Sequence, residues 1–351
     1  MAATETQLIL SVGLIEKDVN GDTLWVWCYP SVGPDLRRIL LSKCCLTQGS
    51  RDFHIFVFGQ FRRTWYYVTT AEALEPTALR KVTHFSVVVT ARDFNPEKYA
   101  ALSRILCRVY NKHGSPVKMM EAYVTVLTKG ICQSDENGSF LIQDYDARKA
   151  YLAGSVKDVV SQFGMETVIL YTALLLRKRI AVHHPRIEAL LEFVRVLPTL
   201  TWHRKDWSIV HPYVHLTDVE LEDLKKCSGY VAGFVDPEVG NRPDLFDVLV
   251  NLPDGVITIS QSAKEAMAMG KLHKDIGCLI VESAEDAERS DVQVVKDISL
   301  KTKEVLASLV SLARECEDGK ITFEGLQQHR FPPATENFLF HLAAAEQLLR
   351  I

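Results

Sequence analysis

A chain of 351 residues has room for two domains at roughly 100–200 residues each. Hydrophobic residues make up 47% and charged residues 24%, the balance of a folded globular protein. Forty basic side chains against 44 acidic ones give a formal charge of −4, which excludes a general basic footprint for nucleic acid or for an anionic membrane.

In chain order, residues 8–14 and 24–29 read as strands joined by the Asn20-Gly21 hairpin signal. Pro30 stops the second strand. Pro34 opens a helix with Leu36, Ile39, Leu40 and Cys44 on one face. Strands follow at 53–58 and 65–70, joined by Gly59-Gln60-Phe61-Arg62-Arg63, and a fifth at 84–90. Pro96 starts a helix capped by Gly114, and Pro116 starts another. Residues 1–130 thus form an α+β lobe, an antiparallel sheet with helices packed on it. Residues 131–146 are polar, with Ser134-Asp135-Glu136-Asn137-Gly138-Ser139 at their centre, and read as an exposed linker.

A second lobe begins at 147. Ser155 or Gly154 caps a helix reaching Phe163. Residues 165–184 are the most apolar passage in the chain. They read as a buried helix, an Arg177-Lys178-Arg179 hinge and a short buried strand. A helix from Pro185 to Pro198 follows, then a loop anchored by Trp202 and Trp207. Pro212 makes 209–216 an edge or an extended connection. Thr217-Asp218-Val219-Glu220 resembles a capping box, and 230–235 and 246–252 read as buried strands. Helix and strand in alternation imply a largely parallel sheet. The remainder reads as helices at 263–272, 300–317 and 336–349 with a strand-like 278–281.

No motif carries covalent chemistry. There is no G-x-x-x-x-G-K-[ST], no G-x-G-x-x-G after a strand, no H-E-x-x-H and no G-x-S-x-G. His211 and His215 flank Pro212, so their spacing does not make a helical metal site. Eight cysteines without a C-x-x-C pair read as buried thiols of a reducing compartment. Met1-Ala2-Ala3-Thr4-Glu5 has no positive signal-peptide region and Ala2 is no myristoylation site. The end at Ile351 offers no prenylation cysteine, so a cytoplasmic protein is expected and the sequon at Asn137 is silent. Arg62-Arg63 and Arg177-Lys178-Arg179 read as solvated turns or as contacts for an acidic partner or phosphoinositide headgroups. With no cofactor motif and no catalytic set, recognition of another protein is the remaining class of function.

Several stretches together resemble the DENN-domain family. The segment from Ile15-Glu16-Lys17-Asp18 to Tyr29-Pro30 is similar to the family's upstream hairpin. Residues 174–182 resemble its central helix, charged hinge and strand, and Trp202 to Trp207 its tryptophan-bearing loop. Ser228-Gly229-Tyr230-Val231-Ala232-Gly233 is similar to a further family strand. Residues 246–252 sit where an aliphatic-Asp-Leu-Asp strand is usual, with Asn251 in place of one acid. The resemblance implies a fold of α/β class: a longin-like lobe over 1–130, a linker over 131–146, a central α/β lobe over 147–285 and a helical downstream part over 286–351.

It also implies guanine-nucleotide exchange on a Rab-family small GTPase in endosomal traffic, late endosomes above all. Mg²⁺ and nucleotide would belong to the partner, so no cofactor is expected here. No universal catalytic side chain is implied. The expected partner-binding residues are Arg62 and Arg63 at the hairpin, and Asp236, Glu238, Asn241 and Arg242 in the loop between two buried strands. The alternative is a non-catalytic adaptor that grips a helical or coiled-coil endosomal scaffold. Membrane recruitment is expected only peripherally and through partners.

Overall fold

A computed structural model describes residues 8–46, 55–75, 77–134, 138–316 and 319–350. The readings at Met1 to Glu5, Phe53, His54, Asn137, Glu317 and Ile351 lie outside these residues. Two compact units divide between Tyr151 and Leu152.

The first unit is built on five antiparallel strands: β1 (Ile9–Asp18), β2 (Thr23–Tyr29), β3 (Phe56–Phe61), β4 (Thr64–Glu72) and β5 (Val82–Ala91), in the order β2-β1-β5-β4-β3. The β1–β2 turn is where Asn20-Gly21 places it. Asp18 Oδ1 accepts the N–H groups of Asn20 (2.8 Å) and Asp22 (2.9 Å). Strand alternation sends Phe85, Val87 and Val89 to one face of β5, where Phe85 meets Tyr110 of α2 (Pro96–His113) at 4.9 Å between ring centroids. Ser86 and Thr90 point to the other face. There they pair with Thr70 (2.7 Å) and Ser11 (2.6 Å), so buried hydroxyls satisfy one another. That second face carries α1 (Pro34–Lys43), whose capping residue Cys44 offers its carbonyl to Thr70 Oγ1 at 3.4 Å.

α2 and α3 (Pro116–Lys129) both start at proline, as expected, and end at left-handed glycines, the expected Gly114 and also Gly130. The expected linker is structured. β6 (Ile131–Ser134) and β7 (Gly138–Leu141) form a hairpin with Cys132, Phe140 and Ile142 buried, followed by the short α4 (Ala147–Tyr151). The polar centre of the stretch masks two apolar flanks, Ile131-Cys132 and Phe140-Leu141-Ile142, which bury against the unit.

The second unit opens with α5 (Val156–Phe163), whose N-cap Ser155 accepts the N–H of Asp158 at 3.1 Å. α6 (Thr167–Leu175) follows and is buried almost all round, as a helix apolar on every side must be. Arg177 ends it in the left-handed region (φ 52), with Lys178 N donating to Ala173 O (2.8 Å) and Arg177 N to Leu174 O (3.2 Å). Arg204 then donates to the terminal carbonyls of Leu174 and Leu175 (2.7 Å each) and also holds Glu346, fixing the basic hinge from outside. From the hinge the chain enters β8 (Arg179–His183) at the centre of a second sheet.

That sheet has the order β12-β11-β8-β10-β9, with β9 (Val210–His211), β10 (Tyr230–Phe234) and β11 (Val248–Asn251) parallel to their neighbours and β12 (Val256–Ile259) antiparallel. β9 is the edge strand that Pro212 calls for. Gly229, just before β10, has no alternative. A Cβ there would lie 2.1 Å from the carbonyl oxygen of Arg177. α7 (Ile187–Val196) and α8 (Asp218–Leu224) serve the parallel crossovers, and Trp207 anchors its loop through Nε1–H to Arg195 O (3.0 Å).

Three readings change here. The stretch expected as a strand at 278–281 is interior to α9 (Lys271–Glu285). There Ile276, Ile280 and Ala284 recur at helical spacing and are buried, so period outweighs the β-branched residues. Residues 263–268 are turns, and α9 begins only at Lys271. Glu220 bonds the N–H of His215 (3.3 Å), so no capping box forms at Thr217. The downstream part is helical: α10 (Asp291–Arg314), α11 (Phe323–Gln328) and α12 (Pro333–Ala345). Tyr171 and Thr302 join α6 to α10 through their hydroxyls at 2.9 Å.

Candidate functional site

In the second unit, β10 and β11 lie on either side of β8 and run parallel, so the segment between them crosses the sheet. That crossover holds the predicted residues Asp236, Glu238, Asn241 and Arg242. Its apolar residues Val239, Leu245 and Phe246 are buried against Ala181, Ala232 and Phe234 of the strands. Tyr230 donates its hydroxyl to the carbonyl of Leu245. Polar groups stay outside and pair within the loop. Asp236 Oδ1 accepts the N–H of Glu238 (2.9 Å), and Asn241 Nδ2 donates to Glu238 Oε2 (3.2 Å). Arg242 grips Asp244 with two bonds, 2.9 and 2.8 Å, and Lys225 approaches the same carboxylate at 3.7 Å.

The end of the loop is clamped by Arg179 of the basic hinge and by Asp247, a partner that sequence reasoning did not single out. Arg179 meets Asp247 in a fork: Nε to Oδ2 at 3.2 Å and Nη2 to Oδ1 at 3.0 Å. Its backbone N–H adds a third bond to Oδ2 (2.8 Å), and Nη1 donates to Asp244 O (2.7 Å). Burial works to raise the Asp247 pKa, but these bonds and the guanidinium charge outweigh it and hold the carboxyl below the usual range. The hydrogen bond from Arg242 likewise lowers Asp244. Exposed polar groups are thus preorganised on an irregular loop by a rigid sheet, the arrangement suited to binding another protein. The signal was in the sequence as the spacing Arg242-x-Asp244 and as Asp247 just before β11, but the partner of Asp247 is 68 residues away. Asn251, at the far end of β11, donates to Asp254 Oδ2 at 2.8 Å.

In the first unit, Arg62 and Arg63 are the two central residues of the β3–β4 hairpin, since Phe61 pairs with Thr64. Both have positive φ (49 and 63), the type I′ pattern that normally selects Asn-Gly. Arg62 Nη1 pairs with Asp35 Oδ2 at 2.9 Å, and its guanidinium lies 4.8 Å from the centre of the Phe61 ring. The hairpin and the crossover loop belong to separate units.

Chemistry elsewhere is quiet. Burial pushes the Cys44 thiol up to about 11 and Cys107 to about 12, so neither is a thiolate near neutrality. Cys227 lies 4.0 Å from His211 Nε2, but burial lowers that imidazole to about 4, which makes it too weak a base to take the proton of a thiol. No group of three or more metal-ligating side chains occurs among the described residues, and no helix there is long and apolar enough to cross a membrane. A groove of about 500 Å³ lies between α9 and α10. Glu282, Asp286, Asp297 and Glu304 line it beside Leu279 and the exposed Leu300.

Known proteins resemble the whole chain. The family described as "Stabilization of polarity axis" matches residues 154–261. DENN domain-containing protein 10 of Danio rerio is 73% identical over 345 residues, 98% of this chain and 99% of the relative. The human protein of that name is 66% identical over the full length of both chains, and that of Dictyostelium discoideum is 35% identical over 99% of each.

Proposed function

Because the chain belongs to the family of DENN domain-containing proteins, we propose that it promotes GDP release from a Rab-family small GTPase on endosomal membranes, late endosomes in particular. The full-length identity to DENN domain-containing protein 10 of several organisms carries this reading. The crossover loop is the surface we assign to the GTPase in the second unit. Asp236, Glu238 and Asn241 are exposed there, on a loop whose ordering is already met by Val239, Leu245 and the Arg179–Asp247 clamp. Exchange of this kind needs no ligand set of its own. A factor that binds the nucleotide-free GTPase more tightly than the GDP form weakens GDP binding by the same factor. Mg²⁺ and phosphate contacts are lost on the partner's side. The test is release of fluorescent GDP from a panel of Rab proteins, with GTP hydrolysis followed in parallel to separate exchange from activation by a supplied arginine.

A second reading, an adaptor for a helical or coiled-coil scaffold, is favoured by the α9–α10 groove. Its exposed Leu300 fits the apolar stripe of an amphipathic helix, and its rim, where Arg289 pairs with Asp286 and Asp297 and Lys301 with Glu304, fits a polar face of mixed charge. A stable complex that forms with a coiled-coil partner and is lost on Leu300→Glu, with GDP release unaffected, separates this reading from the first.

A further inference from the structure

Four arginines gather at one end of the first unit's sheet. Arg62 and Arg63 form the β3–β4 tip. Arg92 directly follows Ala91, whose partner across the ladder is Trp65, two residues beyond Arg63. Alternation along the strand puts Arg92 on the face of Ser86 and Thr90, the face that α1 covers. Arg38 stands three residues after Asp35 on α1, one turn along the same helix side. The Arg62–Asp35 pair ties that first turn of α1 to the hairpin tip.

Charge at this end is poorly compensated. Arg38, Arg63 and Arg92 are exposed and, among the described residues, have no side-chain hydrogen bond or ion pair. The nearest acid after Arg92, Asp93, is engaged by Lys98 (3.4 Å) and by the hydroxyl of Tyr99. The turn compounds this. Two arginines occupy left-handed positions where Asn-Gly would be relaxed, so the local backbone preference is overridden where these side chains project.

We propose that this arginine-bearing end binds the phosphomonoester headgroups of an anionic lipid surface. All four cations are arginines, whose planar fork matches phosphate oxygens in a bidentate way that a lysine does not. They project from a hairpin tip, a strand end and an exposed helix turn. A protruding tip of this kind reaches a flat layer of headgroups, whereas a phosphopeptide is held in a cleft. The contact would add a direct lipid attachment to the recruitment through partners expected from the sequence. It does not depend on nucleotide exchange.

The test is sedimentation of the full chain with phosphatidylcholine vesicles, alone, with phosphatidylserine, or with phosphatidylinositol bisphosphate at matched total charge. The inositol-phosphate vesicles should bind most strongly, and soluble inositol hexakisphosphate should compete. Each basic side chain at an anionic surface contributes roughly fivefold in partitioning. Arg92→Gln should therefore weaken binding about fivefold and the double change Arg62→Asn, Arg63→Gly about 25-fold. The double variant installs the relaxed turn pair, so it should unfold at no lower temperature than the wild type, and loss of binding cannot then be loss of fold. Equal binding by wild type and variants, or no binding to any vesicle, overturns the proposal. So does capture of phosphoserine peptides with no affinity for vesicles.

Discussion

Replacing Asp247 by alanine should loosen the crossover loop without unfolding the second unit. Three donors of Arg179 converge on that carboxylate at 2.8, 3.2 and 3.0 Å. A charge-assisted hydrogen bond contributes about 1.5–3 kcal/mol when fully desolvated. Here the Arg179 and Asp247 side chains keep 31% and 17% exposure, so water replaces part of what is lost. We expect about 2 kcal/mol for Asp247→Ala and about half of that for Asp247→Asn, which retains an acceptor for the Arg179 N–H. Two kcal/mol is about a 30-fold rise in local opening. Native-state hydrogen exchange over residues 236–247 and at the Arg179 amide reads it directly, and the amides of Ile180 to Val182 within β8 should change much less. A cycle with Arg179→Ala should show coupling of about 1 kcal/mol or more. Unchanged exchange in Asp247→Ala, or strictly additive single changes, would refute the clamp as the device that orders the loop.

Three further outcomes follow from the same geometry. Gly229→Ala should cost about 3 kcal/mol, because its Cβ would lie 2.1 Å from a backbone oxygen that cannot yield without moving the Arg177 hinge; a urea midpoint near that of wild type would contradict this. Glu346, with His203 Nε2 at 3.7 Å and hydrogen bonds from Arg204, is lowered from 4.5 to about 2. A carboxyl depressed in the folded state stabilises fully above its unfolded pKa and loses that contribution as pH falls from about 4.5 toward 2. Unfolding followed across that window should flatten in Glu346→Gln, and identical pH dependence in wild type and variant would remove Glu346 from the account. Arg62→Asn with Arg63→Gly should leave thermal stability unchanged or raise it by up to about 1 kcal/mol, since two left-handed side-chain positions are relieved; a clear fall in melting temperature would show that the Arg62–Asp35 pair outweighs the strain.

The sequence carried the elements whose punctuation is local. α2 and α3 begin at Pro96 and Pro116 and end at Gly114 and Gly130, and both ends follow from φ preferences that need no tertiary context. The buried α6 and the β8 strand were legible from a run of apolar residues broken by Arg177-Lys178-Arg179. Context decided the rest. Cys278 to Val281 is β-branched enough to suggest a strand, yet only packing on α5, α6 and α10 shows that Ile276, Ile280 and Ala284 form one helical stripe. β12 follows the Asp254-Gly255 turn, a hairpin signal that pairs it antiparallel with β11. Asp236, Glu238, Asn241 and Arg242 share one loop because two buried strands flank them in the sequence. Asp35 and Asp247 were not singled out, since ion pairing across 27 or 68 residues leaves no local pattern.

Release of fluorescent GDP from a panel of Rab proteins tests the central claim most directly. The account predicts that micromolar wild-type chain accelerates release from at least one Rab, and that Asp236→Lys with Glu238→Lys lowers the rate about tenfold or more while urea stability falls by only about 1 kcal/mol, the cost of the lost Asp236 cap. Acceleration by the charge-reversed variant equal to that of wild type would move the contact off the crossover loop. No acceleration for any Rab would contradict the exchange reading itself.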